Sequence, residues 1–216
     1  MNITDKEIES YAVEHSNSFI DTLLIELENE TNESIPMPQM LSGAMQGQLL
    51  NLISKMIKPT FILEIGTYTG YSAICLAQGL QSDGQLHTID SNEALHEIAN
   101  RYITKADLVR NVTQHLGKAV DIIPELDYPW DIVFIDADKR NYDLYYDMVF
   151  DKLPIGSVII ADNVLWKGKV IEKETNDKRA IALDAFNKKV KADHRVENLV
   201  LPIRDGLHIV KKIKNE

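Results

Sequence analysis

From Phe61 onward the chain alternates short β-rich runs with helical patterns, and this alternation constrains its fold more than any other feature. Strands are expected at Phe61–Ile65, Gln85–Ile89, Val112–Leu116, Asp131–Ile135 and Val158–Ala161. Helical spacing fills the gaps, over Ser72–Gln81, Ala94–Ala106, Ala119–Ile123 and Tyr142–Lys152, and again over Ala180–Lys191. Such a pattern builds βαβ units and a parallel sheet covered on both faces. The end differs. Val196–Pro202 and Leu207–Ile213 flank Arg204-Asp205-Gly206, which predicts a hairpin and an antiparallel last strand.

The first third reads as helices. Thr4-Asp5-Lys6-Glu7 is a capping-box pattern with Thr4 as N-cap. Phe19, Ile20, Leu23, Leu24 and Leu27 recur at helical spacing, with Glu26, Glu28 and Glu30 on the other, solvated face. A polar break is expected from Asn29 to Pro38, then a third helix from Leu41 to Ile57, stopping before Pro59. Met37 to Lys58 holds no Asp or Glu, which fits a buried helix. With no repeat, low-complexity stretch or linker, the 216 residues are expected to form one domain, residues 1–58 being N-terminal helices and 59–216 the α/β core.

Charge and composition exclude some functions. A net charge of −10 opposes broad binding to a phosphate backbone. No apolar run is long enough for a membrane helix, and the N-terminus has no signal-peptide pattern. The single cysteine, Cys75, lies in an apolar helical stretch; it reads as a small core residue and suits a reducing cytoplasm.

In an open α/β sheet ligands bind beyond the carboxyl ends of the strands. The first strand runs into Glu64-Ile65-Gly66-Thr67-Tyr68-Thr69-Gly70-Tyr71-Ser72. The glycines allow a tight turn and a close approach to a ligand. Their spacing is not that of the dinucleotide fingerprint, which disfavours a nicotinamide dehydrogenase. Glu64 would repel a phosphate but suits a cationic ligand with an amino group. The second strand ends in Asp90, placed to accept both hydroxyls of a ribose; alternatively, Asp90 caps the helix starting near Glu93. Glu64 and the glycine turn favour the ribose.

Two more strands end in acid, at Asp136-Ala137-Asp138-Lys139 and at Asp162-Asn163. Neighbouring strands lie about 5 Å apart, and two carboxylates that close repel unless a cation lies between them. A hard cation with bonds of about 2.1 Å suits the oxygens of Asp136, Asp162 and Asn163. With no His or Cys nearby, Mg²⁺ fits better than zinc, with Mn²⁺ or Ca²⁺ as substitutes. The plainer alternative is that these acids cap helices or close turns. Lys139, on the same loop, could accept a proton from a metal-bound hydroxyl or be a solvated lysine.

These three motifs, Leu63 to Ser72, Asp136 to Lys139 with Asn141-Tyr142, and Asp162-Asn163-Val164-Leu165-Trp166-Lys167-Gly168, together resemble the cation-dependent class I O-methyltransferases. That family includes caffeoyl-CoA and catechol O-methyltransferases and bacterial relatives. The resemblance runs from about Ser42 to the Asp205-Gly206 turn. It implies a Rossmann-like seven-stranded sheet of order 3-2-1-4-5-7-6 with strand 7 antiparallel. It implies S-adenosylmethionine surrounded by Ser42, Glu64, Gly66, Thr67, Ser72, Asp90, Ala119, Asp136, Asp138 and Tyr145. Gly117-Lys118-Ala119 matches the loop that flanks adenine. Asp136, Asp162 and Asn163 match the metal ligands, Lys139 the general base, and Trp166 an aromatic residue near the acceptor. A homodimer is implied as well.

The expected reaction is methylation of a vicinal dihydroxy aromatic held through both oxygens, with Lys139 and Asp136 at the chemistry. The segments that would cover the acceptor are the N-terminal helices, the Lys167–Lys178 loop and the Arg204 hairpin. Along the sequence no clear basic patch for the phosphates of a coenzyme A ester is visible. Two rival readings stand: the same chemistry on a hydroxylated tRNA base, and a nucleotide-binding module without catalysis. The set Asp136, Lys139, Asp162 and Asn163 argues against the second.

Overall fold

The computed structural model describes residues 5–16 and 22–216. Three N-terminal helices, α1 (Lys6–Glu14), α2 (Thr22–Ser34) and α3 (Gly43–Ile57), precede β1 (Phe61–Ile65). Then follow α4 (Tyr71–Ala77), β2 (Gln85–Asp90), α5 (Glu93–Lys105), β3 (Val112–Leu116), α6 (Ala119–Ile122) and β4 (Ile132–Ile135). The chain closes with α7 (Tyr142–Phe150), β5 (Val158–Asp162), α8 (Lys178–Ala192), β6 (Val196–Leu201) and β7 (Leu207–Lys212). The strand order is β3-β2-β1-β4-β5-β7-β6, and β7 runs antiparallel to both of its neighbours. The expected topology and the hairpin are both present.

Alternation along each strand divides the core into two layers. Ile62, Ile132, Phe134 and Ile160 face α3, α4 and α5, while Leu63, Ile65, Val133, Ile135 and Ile159 face α7 and α8. The strands are apolar on both faces because both are covered. Cys75 is a core residue, and burial pushes its thiol above the ordinary range.

The N-terminal region departs from expectation in three places. Asp5, not Thr4, caps α1, accepting from the amides of Glu7 and Ile8; Thr4, Phe19 and Ile20 lie outside the described residues. The helix α2 continues to Ser34, through most of the expected break. Two of its polar residues are held by partners: Thr31 donates to the Leu27 carbonyl at 2.7 Å, and Glu30 receives Arg101 at 2.6 Å and the Tyr102 hydroxyl at 2.7 Å. The glutamate face is therefore no plain solvated surface, since Glu26 also pairs with Lys105. Both ion pairs lock α2 onto α5.

The helix α3 lies over α4. It ends at Lys58, in the left-handed region, immediately before Pro59. The expected helix from Ser72 to Gln81 is shortened to Tyr71–Ala77. Just past its end Gly79 touches α3 so closely that a Cβ would lie 2.2 Å from the Ser54 carbonyl carbon. Among the described residues no helix is long and apolar enough to cross a membrane.

Candidate active site

The carboxyl ends of β1, β2, β4 and β5 open into one cleft of about 830 Å³, within the range of small-molecule sites. Ser42, Gly66, Thr67, Ser72, Asp90, Ala119, Asp136, Asp138, Lys139, Tyr145, Asp162, Asn163 and Trp166 all line it. Glu64 is the exception. It lies fully buried and is absent from the cleft wall.

Gly66 makes the turn after β1 possible for a reason other than ligand approach. A Cβ there would meet the Asp136 carbonyl oxygen at 2.2 Å, and its φ is +110°. The glycine lets the ends of β1 and β4 close on each other, which brings the Asp90 end and the Asp136 end of the cleft together. Glu64 Oε2 accepts from the Thr88 hydroxyl at 2.5 Å, while Oε1 is buried with no hydrogen-bond partner. Burial raises this carboxyl to about 8, against the lowering effect of the Ser72 and Thr88 hydroxyls. A buried acceptor without a donor fits a cationic or N–H-bearing ligand.

Asp90 does not cap α5; Asn92 does. Its two oxygens accept from the amides of Tyr68 at 2.8 Å and Asn92 at 2.9 Å. Each carboxylate oxygen keeps a second lone pair, so the residue can hold the loop and still accept from a diol. Thr67, Ser91 and the Gly117-Lys118-Ala119 loop complete this end.

At the other end, Asp136 and Asp162 follow the paired residues Ile135 and Ala161 on adjacent parallel strands. Lys139 Nζ donates to Asp136 Oδ1 at 2.5 Å and to the Tyr142 hydroxyl at 2.9 Å. Tyr142 is fully buried, and its hydroxyl also contacts the carbonyls of Ile135 and Asp162. Lys139 is thus a nearly buried, held lysine rather than a solvated one. Burial, then the charge of Asp136, raises the Asp162 carboxyl to about 6; Lys139 and Gln46 oppose this. Asn163 adopts φ 59°, in the left-handed region that Asn tolerates.

These residues offer two carboxylates and an amide carbonyl to one corner of the cleft. Such a hard oxygen set fits a small divalent cation, which would relieve the repulsion that Asp136 exerts on the buried Asp162. Among the described residues no cluster of three or more His, Cys, Asp and Glu is disposed to hold a metal. The set here has only two carboxylates, its third donor being an amide.

Asp138 pairs with Arg140, whose guanidinium holds its carboxyl below the usual range. Trp166 sits in a kinked 3-10 segment, its Nε1 donating to Asp177 at 3.1 Å and its ring lying under Arg179.

Four residues escaped the sequence reading: Gln46, Thr88, Tyr142 in its role beneath Lys139, and Arg204 as a contact. Gln46 is fully buried and donates to Asp162 Oδ2 at 2.8 Å. Only its polarity within an acid-free helix hinted at it. The fold also gathers Lys167, Arg179 and Arg204 at the cleft, a cationic lining that no cluster along the sequence announces.

The O-methyltransferase family model matches residues 13–213. Caffeoyl-CoA O-methyltransferase 1 of Arabidopsis thaliana is 33% identical over 197 residues, spanning 85% of this chain and 76% of that protein. Probable caffeoyl-CoA O-methyltransferase 1 of Dictyostelium discoideum is 31% identical over 97% of this chain and 93% of its own. Among solved structures, the O-methyltransferase TomG from Streptomyces achromogenes, in complex with SAM, shares a TM-score of 0.89 at 28% identity, over 96% of each chain. The O-methyltransferase from Bacillus cereus, in complex with SAH, gives 0.87 at 31% identity over 95% of this chain and 97% of that one. The match of the family model over residues 13–213, and of relatives that cover most of the chain, means that this protein belongs to the O-methyltransferase family.

Proposed function

We propose that this enzyme transfers the methyl group of S-adenosylmethionine to one hydroxyl of a vicinal dihydroxy aromatic, with a divalent cation, Mg²⁺ by preference, held by Asp136, Asp162 and Asn163. The observation that carries the reading is the convergence of two strand-end acids, one amide and a held lysine in one cleft with Asp90 and the Gly66 turn. The SAM- and SAH-bound neighbours support the cosubstrate. When bound, the cation would make a coordinated hydroxyl more acidic and fix its position.

The chain's own residues supply the rest. Glu64 under the β1 turn and Asp90 at the end of β2 would hold the amino-acid and ribose parts, with Ser42, Gly66, Thr67, Ser72, Ala119, Asp138 and Tyr145 around them. Trp166 would bound the acceptor ring. Lys139 here serves as the counter-charge of Asp136. To act as the base it first gives its ammonium proton to solvent; the neutral amine then takes the acceptor's hydroxyl proton at Nζ. The resulting oxygen attacks the methyl carbon in line; the C–O bond forms as the C–S bond breaks, and S-adenosylhomocysteine leaves. Free phenols titrate near pH 10, so both ionisation and alignment need the protein.

Methyl-labelled cosubstrate, supplied with Mg²⁺ and offered a catechol panel or undermodified tRNA, tests the acceptor. Label is expected on a catechol oxygen; transfer to tRNA alone would contradict the small-molecule reading. A homodimer is also expected, and exposed Leu52 and Met56, one turn apart on α3, offer an apolar face for it. Light scattering should give twice the monomer mass, and a monomer across the working concentration range would refute it.

A further inference from the structure

We propose that Gln46 is a positioning residue for Asp162, and that Arg204 holds Gln46 in that role. The inference rests on the reading of Asp162 as a cation ligand.

The geometry is a three-residue chain that runs behind the cleft wall through the buried Gln46. Gln46 Nε2 donates to Asp162 Oδ2 at 2.8 Å, and Gln46 Oε1 accepts from Arg204 at 3.2 Å. The amide orientation follows from chemistry. A carboxylate only accepts and a guanidinium only donates, so each end of the amide has one possible partner. The opposite oxygen of Asp162, Oδ1, accepts from the backbone N–H of Asn163 at 2.6 Å. Donors on both oxygens fix the plane of the carboxylate and leave each oxygen a lone pair for a ligand.

Arg204 is itself anchored. It stands in the hairpin between β6 and β7 and donates to the carbonyls of Ser42 and, at 2.9 Å, Leu41, immediately before α3. Both anchor residues line the cleft, as does Arg204. The clasp therefore ties the hairpin wall to the α3 wall, and Gln46 carries that tie to the end of β5. A buried glutamine with each amide end committed to a charged group is more than packing, since an apolar side chain of the same size would fill the space without its desolvation cost. Removing an outer partner of a metal-binding side chain changes metal affinity by about 10–100-fold.

The test uses the full chain, with Mn²⁺ as probe followed by calorimetry, and S-adenosylhomocysteine titrated separately without metal. Gln46→Leu should bind Mn²⁺ about 10–100-fold more weakly while keeping its S-adenosylhomocysteine affinity within about twofold. Arg204→Met should weaken Mn²⁺ binding less, and the double variant should be no weaker than Gln46→Leu, because the arginine acts through the glutamine. The turnover of both variants should recover as Mn²⁺ is raised, a change in the metal requirement rather than in kcat. If Gln46→Leu does not fold, Arg204→Met carries the same comparison. Mn²⁺ affinity unchanged in the variants, or falling in parallel with S-adenosylhomocysteine affinity, would overturn the proposal. A parent protein that binds no Mn²⁺ would overturn the metal reading itself, and this inference with it.

Discussion

Asp162 and Glu64 show at the scale of single residues how the cleft sets its own electrostatics. Both are buried carboxyls at strand ends, and burial raises both. Asp162 has charged and amide neighbours to answer it; Glu64 has only hydroxyls, and one of its oxygens has no partner. The sign of the consequence is definite. The native Glu64 carboxyl keeps its proton up to about 8, whereas the unfolded one releases it near 4.5. Between those values the native state binds the extra proton, so this group's stabilising contribution is full at low pH and is lost as pH rises through the window. Replacing Glu64 by Gln removes that slope. Urea unfolding of Glu64→Gln and the parent should show the difference shifting toward the variant by about 2–4 kcal/mol between about pH 5 and about pH 9. A difference that does not move with pH would contradict the burial of an ionisable Glu64.

The acids of the cleft that were legible in the sequence share one property: each stands where a strand's apolar run stops. Asp90, Asp136 and Asp162 follow β-rich runs, and the sheet rule places such residues at a common edge. Gln46 and Arg204 have no such marker. Gln46 is 116 residues from Asp162 and 158 from Arg204, and only packing joins them. Lys139 was visible as a loop lysine, but the Tyr142 hydroxyl beneath it depends on α7 turning that ring under β4 and β5.

At the scale of elements, alternation of strand and helix made the core readable from Phe61 to Lys212, including the antiparallel β7. The N-terminal helices were read less well because their polar residues pair with α5, which local periodicity cannot show. The end of α4 was overrun for a similar reason: Gly79 answers to the backbone of α3, far away in sequence. That contact is testable. A Cβ at Gly79 must displace the Ser54 backbone, so Gly79→Ala should cost about 1–3 kcal/mol by overpacking. Chemical denaturation checks it, and a variant as stable as the parent would show that α3 and α4 separate freely. Because α3 carries Gln46 and starts directly after Ser42, the same variant should weaken binding in the cleft.

At the scale of the whole molecule, two walls from opposite ends of the chain close one cleft over the strand ends. Residues Met37 to Ser42 form one wall, and the segment around Arg204 and Asp205 another. The net charge of −10 is compatible with this arrangement, because the cations that matter are gathered at the cleft. In the proposed function the acids at its floor hold a cation needed for methyl transfer to oxygen. The most direct measurement is turnover of a catechol by the parent and by Asp136→Ala, each stripped with chelator and then resupplied with Mg²⁺. The parent should fall silent in chelator and recover with Mg²⁺, while Asp136→Ala stays silent in both and retains its folded state. Full turnover by Asp136→Ala in chelator would contradict the account.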